Sequence, residues 1–136
     1  MNILGIIRRI LLDSESIREK VDSRVWMSDL ASVVNPVLPC INFQVQPGTT
    51  DETLPERLSA PRVRFWCWSE EGYDEAREIA ETLIDVLNQE IFHKDNKDLW
   101  FRQDTVPVDY FLEGPRYYAS VVDFVCHVLD LSLIHI

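Results

Sequence analysis

Glycine is scarce, four residues in 136, and histidine and cysteine number only three each. So few glycines leave no material for a phosphate-cradling loop, and neither GxGxxG nor GxxxxGKS/T occurs. HExxH and GxSxG are missing too, which removes the common zinc-protease and serine-hydrolase patterns. Cys40, Cys67 and Cys126 stand alone in apolar surroundings, without a CxxC and without His93 or His127 at ligand spacing. They read as buried free thiols rather than a metal or disulfide framework. Positive charge is also short. Thirteen Lys and Arg face 23 Asp and Glu, giving a net charge of −10 and a pI near 4.6. That balance argues against a general DNA or RNA binder and against attraction to an anionic membrane. No apolar run approaches the ~20 residues that span a bilayer. The opening MNILGIIRRILLDSES carries its arginines inside the apolar segment and lacks a small-residue cleavage site. It reads as an amphipathic helix of a protein made and kept in the cytosol.

What is present is most ordered between Pro61 and Glu90. Val63, Phe65 and Cys67 alternate with Arg62, Arg64, Trp66 and Trp68, the period of a strand with one buried face. After Ser69 the period changes. Ala76, Ala80, Leu83, Leu87 and Ile91 recur at helical spacing, with Ile79, Ile84 and Val86 widening the stripe. Glu70, Glu71, Asp74, Glu75, Glu78, Glu81 and Asp85 occupy the remainder, where acids early in a helix suit its dipole. Ser69 is the expected N-cap. The helix is expected to cover the sheet face that carries Val63, Phe65 and Cys67.

Around this unit, residues 2–12 place Ile3, Ile6, Ile7, Ile10 and Leu11 on one helical face and Arg8 and Arg9 on the other. Ser16-x-x-Glu19 has the form of a capping box opening a second short helix to about Val21. Val25 to Met27 suits a short strand, and Ala31 to Pro39 a loop. Ile41, Phe43 and Val45 alternate with polar residues until Pro47-Gly48 stops the strand. Thr49–Pro61 is polar and aperiodic, a long exposed loop. Beyond the helix, residues 93–98 read as a turn, and Leu99–Gln103 and Val108–Leu112 as strands interrupted at Pro107. After the turn at Glu113-Gly114-Pro115, Arg116–Val128 is apolar on both sides, as a central strand or one meeting another protein would be. The expectation is one α+β domain over residues 1–130: a mostly antiparallel sheet of four to five strands, with the N-terminal and long helices on one face.

Catalytic chemistry finds no candidate cluster, so no enzyme, cofactor or metal is expected. Asp51, Glu52 and Glu56 match no calcium loop; they read as a solvated acidic loop. The unusual feature is Arg62, Arg64, Trp66 and Trp68 on one side of a strand, because Trp and Arg are enriched at the centres of protein interfaces. Either a neighbouring copy covers them with its carboxylates, or Trp66 and Trp68 pack on a loop of their own chain such as 47–60. The candidate interface set is therefore Arg62, Arg64, Trp66 and Trp68, with Asp51, Glu52 and Glu56 in the loop.

Two resemblances complete the reading. Leu131-Ser132-Leu133-Ile134-His135-Ile136 resembles the translation of a transposase adapter used in sequencing-library preparation. That resemblance implies that residues 131–136 are not native and that the natural sequence departs after about Asp130. The opening MNILGIIRRILLDSESIREKVDSRVW resembles the N-terminus of the small tail-completion or tail-terminator proteins of long-tailed bacteriophages: apolar helix, polar turn, second helix, and an Arg24-Val25 pair at the first strand. Leu38-Pro39-Cys40-Ile41-Asn42-Phe43 and Trp66-Cys67-Trp68-Ser69 before an Ala/Ile/Leu helix are similar to that family's middle. The resemblance implies a non-enzymatic virion protein at the head-proximal end of the tail, assembled in the host cytoplasm. Such proteins form a ring, usually a hexamer, that caps the tail tube, ends its polymerisation and offers a surface to the head-tail connector. An acidic ring would let DNA pass without sticking, with no sequence-specific nucleic-acid or membrane binding. Alternatives are a head-completion or neck adaptor of the phage and, in a different class, an intracellular module binding a peptide or small molecule.

Overall fold

In the computed structural model, which describes residues 3–27, 30, 36–46 and 58–131, the chain runs through eleven elements. They are α1 (Ile3–Asp13), α2 (Glu15–Val21), β1 (Val25–Trp26), β2 (Cys40–Val45), β3 (Leu58–Ser59), β4 (Arg62–Ser69), α3 (Tyr73–Leu87), β5 (Ile91–Lys94), β6 (Lys97–Gln103), β7 (Val108–Leu112) and β8 (Tyr117–Asp130). The fold is α+β, with every strand in one sheet of order β1-β2-β4-β8-β6-β5. Only β1 on β2 is parallel. The sheet holds eight strands rather than four or five, and the additional ones are short.

β8 organises the sheet. On one edge it pairs with β4 and, further along, with β3. On the other it pairs with β6 over Phe124–Asp130 and with β7 over Tyr117–Val121. Its even-numbered residues from Ser120 to Val128 are buried beneath the helices. The apolar faces of α1, α2 and α3 close the main core against Ile41, Phe43, Val63, Phe65, Cys67, Leu99, Phe101 and the inner side of β8. Through this layer runs a chain of aromatic rings. Phe43 meets Phe65 at 5.4 Å, Phe65 meets Phe124 edge-on at 5.7 Å, and Phe101 links Phe124 to Phe92 at 6.4 and 5.8 Å. Such pairs add cohesion beyond the area they bury.

Local departures from the sequence reading have identifiable causes. α2 starts one turn's fraction earlier than the Ser16 pattern implies, because Ser14 is the N-cap and its hydroxyl accepts from the Ile17 amide at 3.4 Å. Ser69 does not cap α3. It is buried at the end of β4, its Oγ accepts from the amides of Glu71 and Gly72, and the helix begins at Tyr73 after Gly72. Ile91 continues the helical spacing from Leu87 but belongs to β5, since Gln89 takes a φ of 65° and ends the helical path. Residues 93–98 are not a simple turn. Asp95 and Asn96, both at positive φ, form the two-residue loop of a hairpin between β5 and β6. At the other end of the chain's long polar segment, Leu58–Ser59 is already a strand on β8; residues 47–57, including Asp51, Glu52 and Glu56, lie outside the described residues, as do 132–136.

α3 holds the sheet through Ala76, Ile79, Ala80, Leu83 and Leu87, all buried. Leu83→Ala is expected to destabilise the chain by about 2–5 kcal/mol, the range for a buried leucine truncated to leave a cavity. Urea unfolding measures it, and an unchanged midpoint would show that this face does not carry the core.

Candidate functional site

Arg62, Arg64, Trp66 and Trp68 occupy the sheet face turned away from the helices, because their inner-side neighbours Val63, Phe65 and Cys67 belong to the main core. Register brings them opposite the outward side of β8: Arg62 with Val125, Arg64 with Asp123, Trp66 with Val121 and Trp68 with Ala119. On the far edge of β8, Arg102 stands beside Val125, Trp100 beside His127, Val108 beside Val121 and Tyr110 beside Ala119. The strand therefore lays out rows of side chains across this face.

The four sequence-predicted residues divide into two pairs. Trp68 is 4% exposed, not open to solvent. It sits in a second, smaller core with Leu30, Leu38, Cys40 and Ala119, flanked by Trp26, Trp66, Leu112 and Tyr117. Its indole N–H donates to Asn42 Oδ1 at 2.6 Å, and Tyr110 meets it edge-on at 6.1 Å. The cover is thus supplied in part by β7, an element the sequence reading had not placed over the tryptophans. Trp66 is half-buried at the margin of that cluster. Arg62 and Arg64 remain substantially open, and each has found a carboxylate. Arg62 Nη2 lies 3.0 Å from Asp104 Oδ2. Arg64 grips Asp123 with two bonds of 2.8 and 3.1 Å and rests its guanidinium 5.9 Å from the centre of the Trp66 ring. Donating these bonds to Asp123 raises the Arg64 pKa further above its ordinary value.

Asp123 is the residue the sequence reading passed over. A carboxylate inside an otherwise apolar central strand requires a partner, and at 5% exposure it has one in Arg64. Its backbone is equally constrained. Four residues, 104–107, lie opposite only Val122 and Asp123 between β6 and β7. The Asp123 carbonyl accepts from the amides of Asp104 and Thr105, while Thr105 Oγ1 accepts from the Asp123 amide at 2.9 Å. This bulge sets β7 apart from β6 and opens a groove of about 510 Å³. Val121 and Asp123 form its floor, Arg64 and Trp66 one wall, Val108 and Tyr110 the other.

Toward the opposite end of the face, Trp100 stacks on His127 with ring centroids 4.8 Å apart. Burial lowers the His127 pKa, and the Arg102 cation lowers it further. Its Nε2 is buried without a hydrogen-bond partner among the described residues. Ile91, Trp100, Val106, Val108 and Tyr110 are all exposed large apolar residues, so the arginines lie between two apolar ends. The three cysteines are free and buried. Burial pushes the Cys40 and Cys126 thiols up to about 12, and raises Cys67 as well. Among the described residues no nucleophile-base pair is assembled on this face, and no group of three or more His, Cys, Asp or Glu is placed to hold a metal. Among them also, no helix is long and apolar enough to cross a membrane. The face carries forked cations, aromatic planes and a shallow groove.

No protein-family model matches the sequence, and no curated protein does. Among solved structures, the fold matches a chain of the "Virion of native gene transfer agent (GTA) particle" with a TM-score of 0.63 and 12% identity, covering 93% of this chain and 94% of that one. At that identity the likeness is one of fold.

Removing Asn42 leaves the Trp68 N–H buried without an acceptor, and removing the indole leaves Asn42 in the same position. A double-mutant cycle of Asn42→Ala and Trp68→Phe is expected to show a coupling of about 1–2 kcal/mol by denaturant unfolding. No coupling would mean that water replaces the bond. His127 yields a pH prediction. Its folded pKa lies below its ordinary 6.5, so the unfolded chain takes up the proton first and stability falls as pH drops through that value. His127→Gln is expected to lose less stability than the parent between about pH 7 and pH 5. Identical slopes would contradict the burial of this imidazole.

Proposed function

We propose that this chain is a structural protein of a phage-type virion that caps the head-proximal end of the tail tube. In this reading it assembles as a ring with a hexamer's symmetry, ends tube polymerisation and presents a surface to the head-tail connector. The observation that carries the virion reading is the fold-wide match to a virion chain, spanning more than nine-tenths of both partners. The tail-terminator assignment is supported by the α1-α2-Arg24-Val25 opening and by the order of elements that follows. In agreement, the outer sheet face offers Arg62, Arg64, Trp66 and a rim of exposed apolar side chains. Those are the residue types that dominate subunit contacts. Asp51, Glu52 and Glu56 are proposed as contacts of the same assembly. A role by contact also accounts for a face built of charge pairs and rings instead of reacting groups.

The test is to polymerise the tail-tube protein encoded in the same genome with and without this chain, and to view the products by electron microscopy. Tubes of limited length with added density at one end are expected. Unlimited growth with bare ends would reject the terminator role, and binding to the connector instead would assign the chain to the neck. The groove between β4 and β7 favours a second reading, a module that seats a peptide. A persistently monomeric chain that binds peptides in this groove and ignores tubes would support it.

Alanine at both Arg64 and Trp66 separates folding from assembly. Loss of the assembled mass in light scattering is expected while a cooperative unfolding transition persists. A chain that no longer folds would show that the second core needs Trp66 or that the buried Asp123 needs its Arg64 partner.

A further inference from the structure

The outward side of α3 has an order of its own. Asp74, Glu78, Glu81 and Asp85 are exposed and follow one another at intervals of four, three and four residues. At 3.6 residues per turn they form a single stripe, diametrically opposite Ala76, Ala80, Leu83 and Leu87. Few cations answer it. Glu78 has Lys20 at 3.4 Å and Asp74 has Arg77 at 3.6 Å; among the described residues Glu81 and Asp85 have none. Four carboxylates on one ridge repel one another unless something positive is brought to them.

The outer sheet face is the complementary surface. Arg62, Arg64 and Arg102 lie in two neighbouring rows around Asp123 and Val125. Arg102 is exposed and has no carboxylate partner among the described residues. The side chains of Arg62 and Arg64 are 44% and 39% exposed despite their ion pairs. A guanidinium has five donors, so the two bonds from Arg64 to Asp123 do not saturate it. Dimensions agree as well. The stripe from Asp74 to Asp85 is about 16 Å long, and the outer side of β8 from Val121 to His127 runs about 20 Å. The arginines are flanked by Tyr110 and Val108 toward one end and by Trp100 toward the other, which gives a charged centre an apolar rim.

We propose that the acidic stripe of α3 in one copy docks on the Arg62-Arg64-Arg102 face of a second copy. The proposal rests on the assembly put forward above and names its two surfaces. They lie on opposite sides of the protomer, so the contact is heterologous. An open series keeps one free stripe at one end and one free arginine face at the other until it closes, which is how rings form. A chain of net charge −10 repels its own copies at long range. This pairing sets the repulsion aside locally and fixes which faces meet.

Two charge-reversed chains test it, Arg62→Glu/Arg102→Glu and Glu81→Lys/Asp85→Lys, with masses read by light scattering beside the parent. All four positions are exposed, and each variant is expected to keep a cooperative unfolding transition, with a lower melting temperature only where Arg62→Glu loses its ion pair with Asp104. Each alone sets like charges face to face, and its mass is expected to fall to the 15.9 kDa of the monomer. An equimolar mixture again joins opposite charges at every contact, and the parent's mass is expected to return. A parent that assembles while either variant assembles equally well overturns these surfaces and leaves the ring itself standing. So does a mixture that stays monomeric. A parent that is monomeric at every concentration overturns self-docking, while the tube experiment above still decides the virion role.

Discussion

Hydrogen bonding along both edges of β8 is the constraint on which the rest of the molecule depends. A strand paired on both sides has its backbone donors and acceptors satisfied within the sheet, so it can lie in the interior and let both of its faces serve as packing surfaces. The inner face receives three helices and closes the larger core around a relay of phenylalanines. The outer face closes a smaller one around Trp68 and then runs out from under its cover. A two-layer domain normally leaves its second sheet face polar. Here that face is half core and half open surface, and the boundary falls at Arg64 and Asp123.

That boundary depends on backbone as much as on charge. The two additional residues between β6 and β7 crowd their amides onto the Asp123 carbonyl, and bulges of this kind bend and re-aim an edge. One consequence is the groove. Another is that the Asp123 carboxylate is held in a fixed place from which to grip a fork-shaped cation with two bonds, a geometry that lysine would not reproduce. Ion pair, bulge and groove are thus one piece of construction.

Much of the architecture was legible in residue order, because period-two and period-3.6 patterns report directly on one buried face. β4, α3, β2 and both N-terminal helices follow from them. The failures have a common cause: where two elements abut, their periods run together. Ile91 fits the helix it follows as well as the strand it starts, and only the Asp95-Asn96 pair marked the hairpin. Ser69 has the chemistry of a cap but is used one turn early, as the acceptor of a strand-ending bend. The outer face was legible as unusual through Arg62, Arg64, Trp66 and Trp68. Alternation assigns a side and not a depth, so Trp68 could not be told from Trp66. What separates them is β7, whose place beside β8 depends on hairpin pairing across residues 113–116 and on a bulge that no local pattern announces. Asp123 alone carried a usable hint, a charge amid apolar neighbours.

The three thiols have a consequence of a different sort. Cys40 points to the outer layer while Cys67, next to it across the β2–β4 ladder, points to the inner one, so the two cannot be bridged without moving backbone. Cys126 lies on the inner side of β8, six residues along that strand from the position opposite Cys67. All three are also held in the protonated, unreactive form by burial. The folded chain is therefore indifferent to redox compartment. It needs no oxidant to become stable and acquires no cross-link on leaving a reducing environment for air, so its lifetime outside a cell is set by its packing and not by sulfur chemistry.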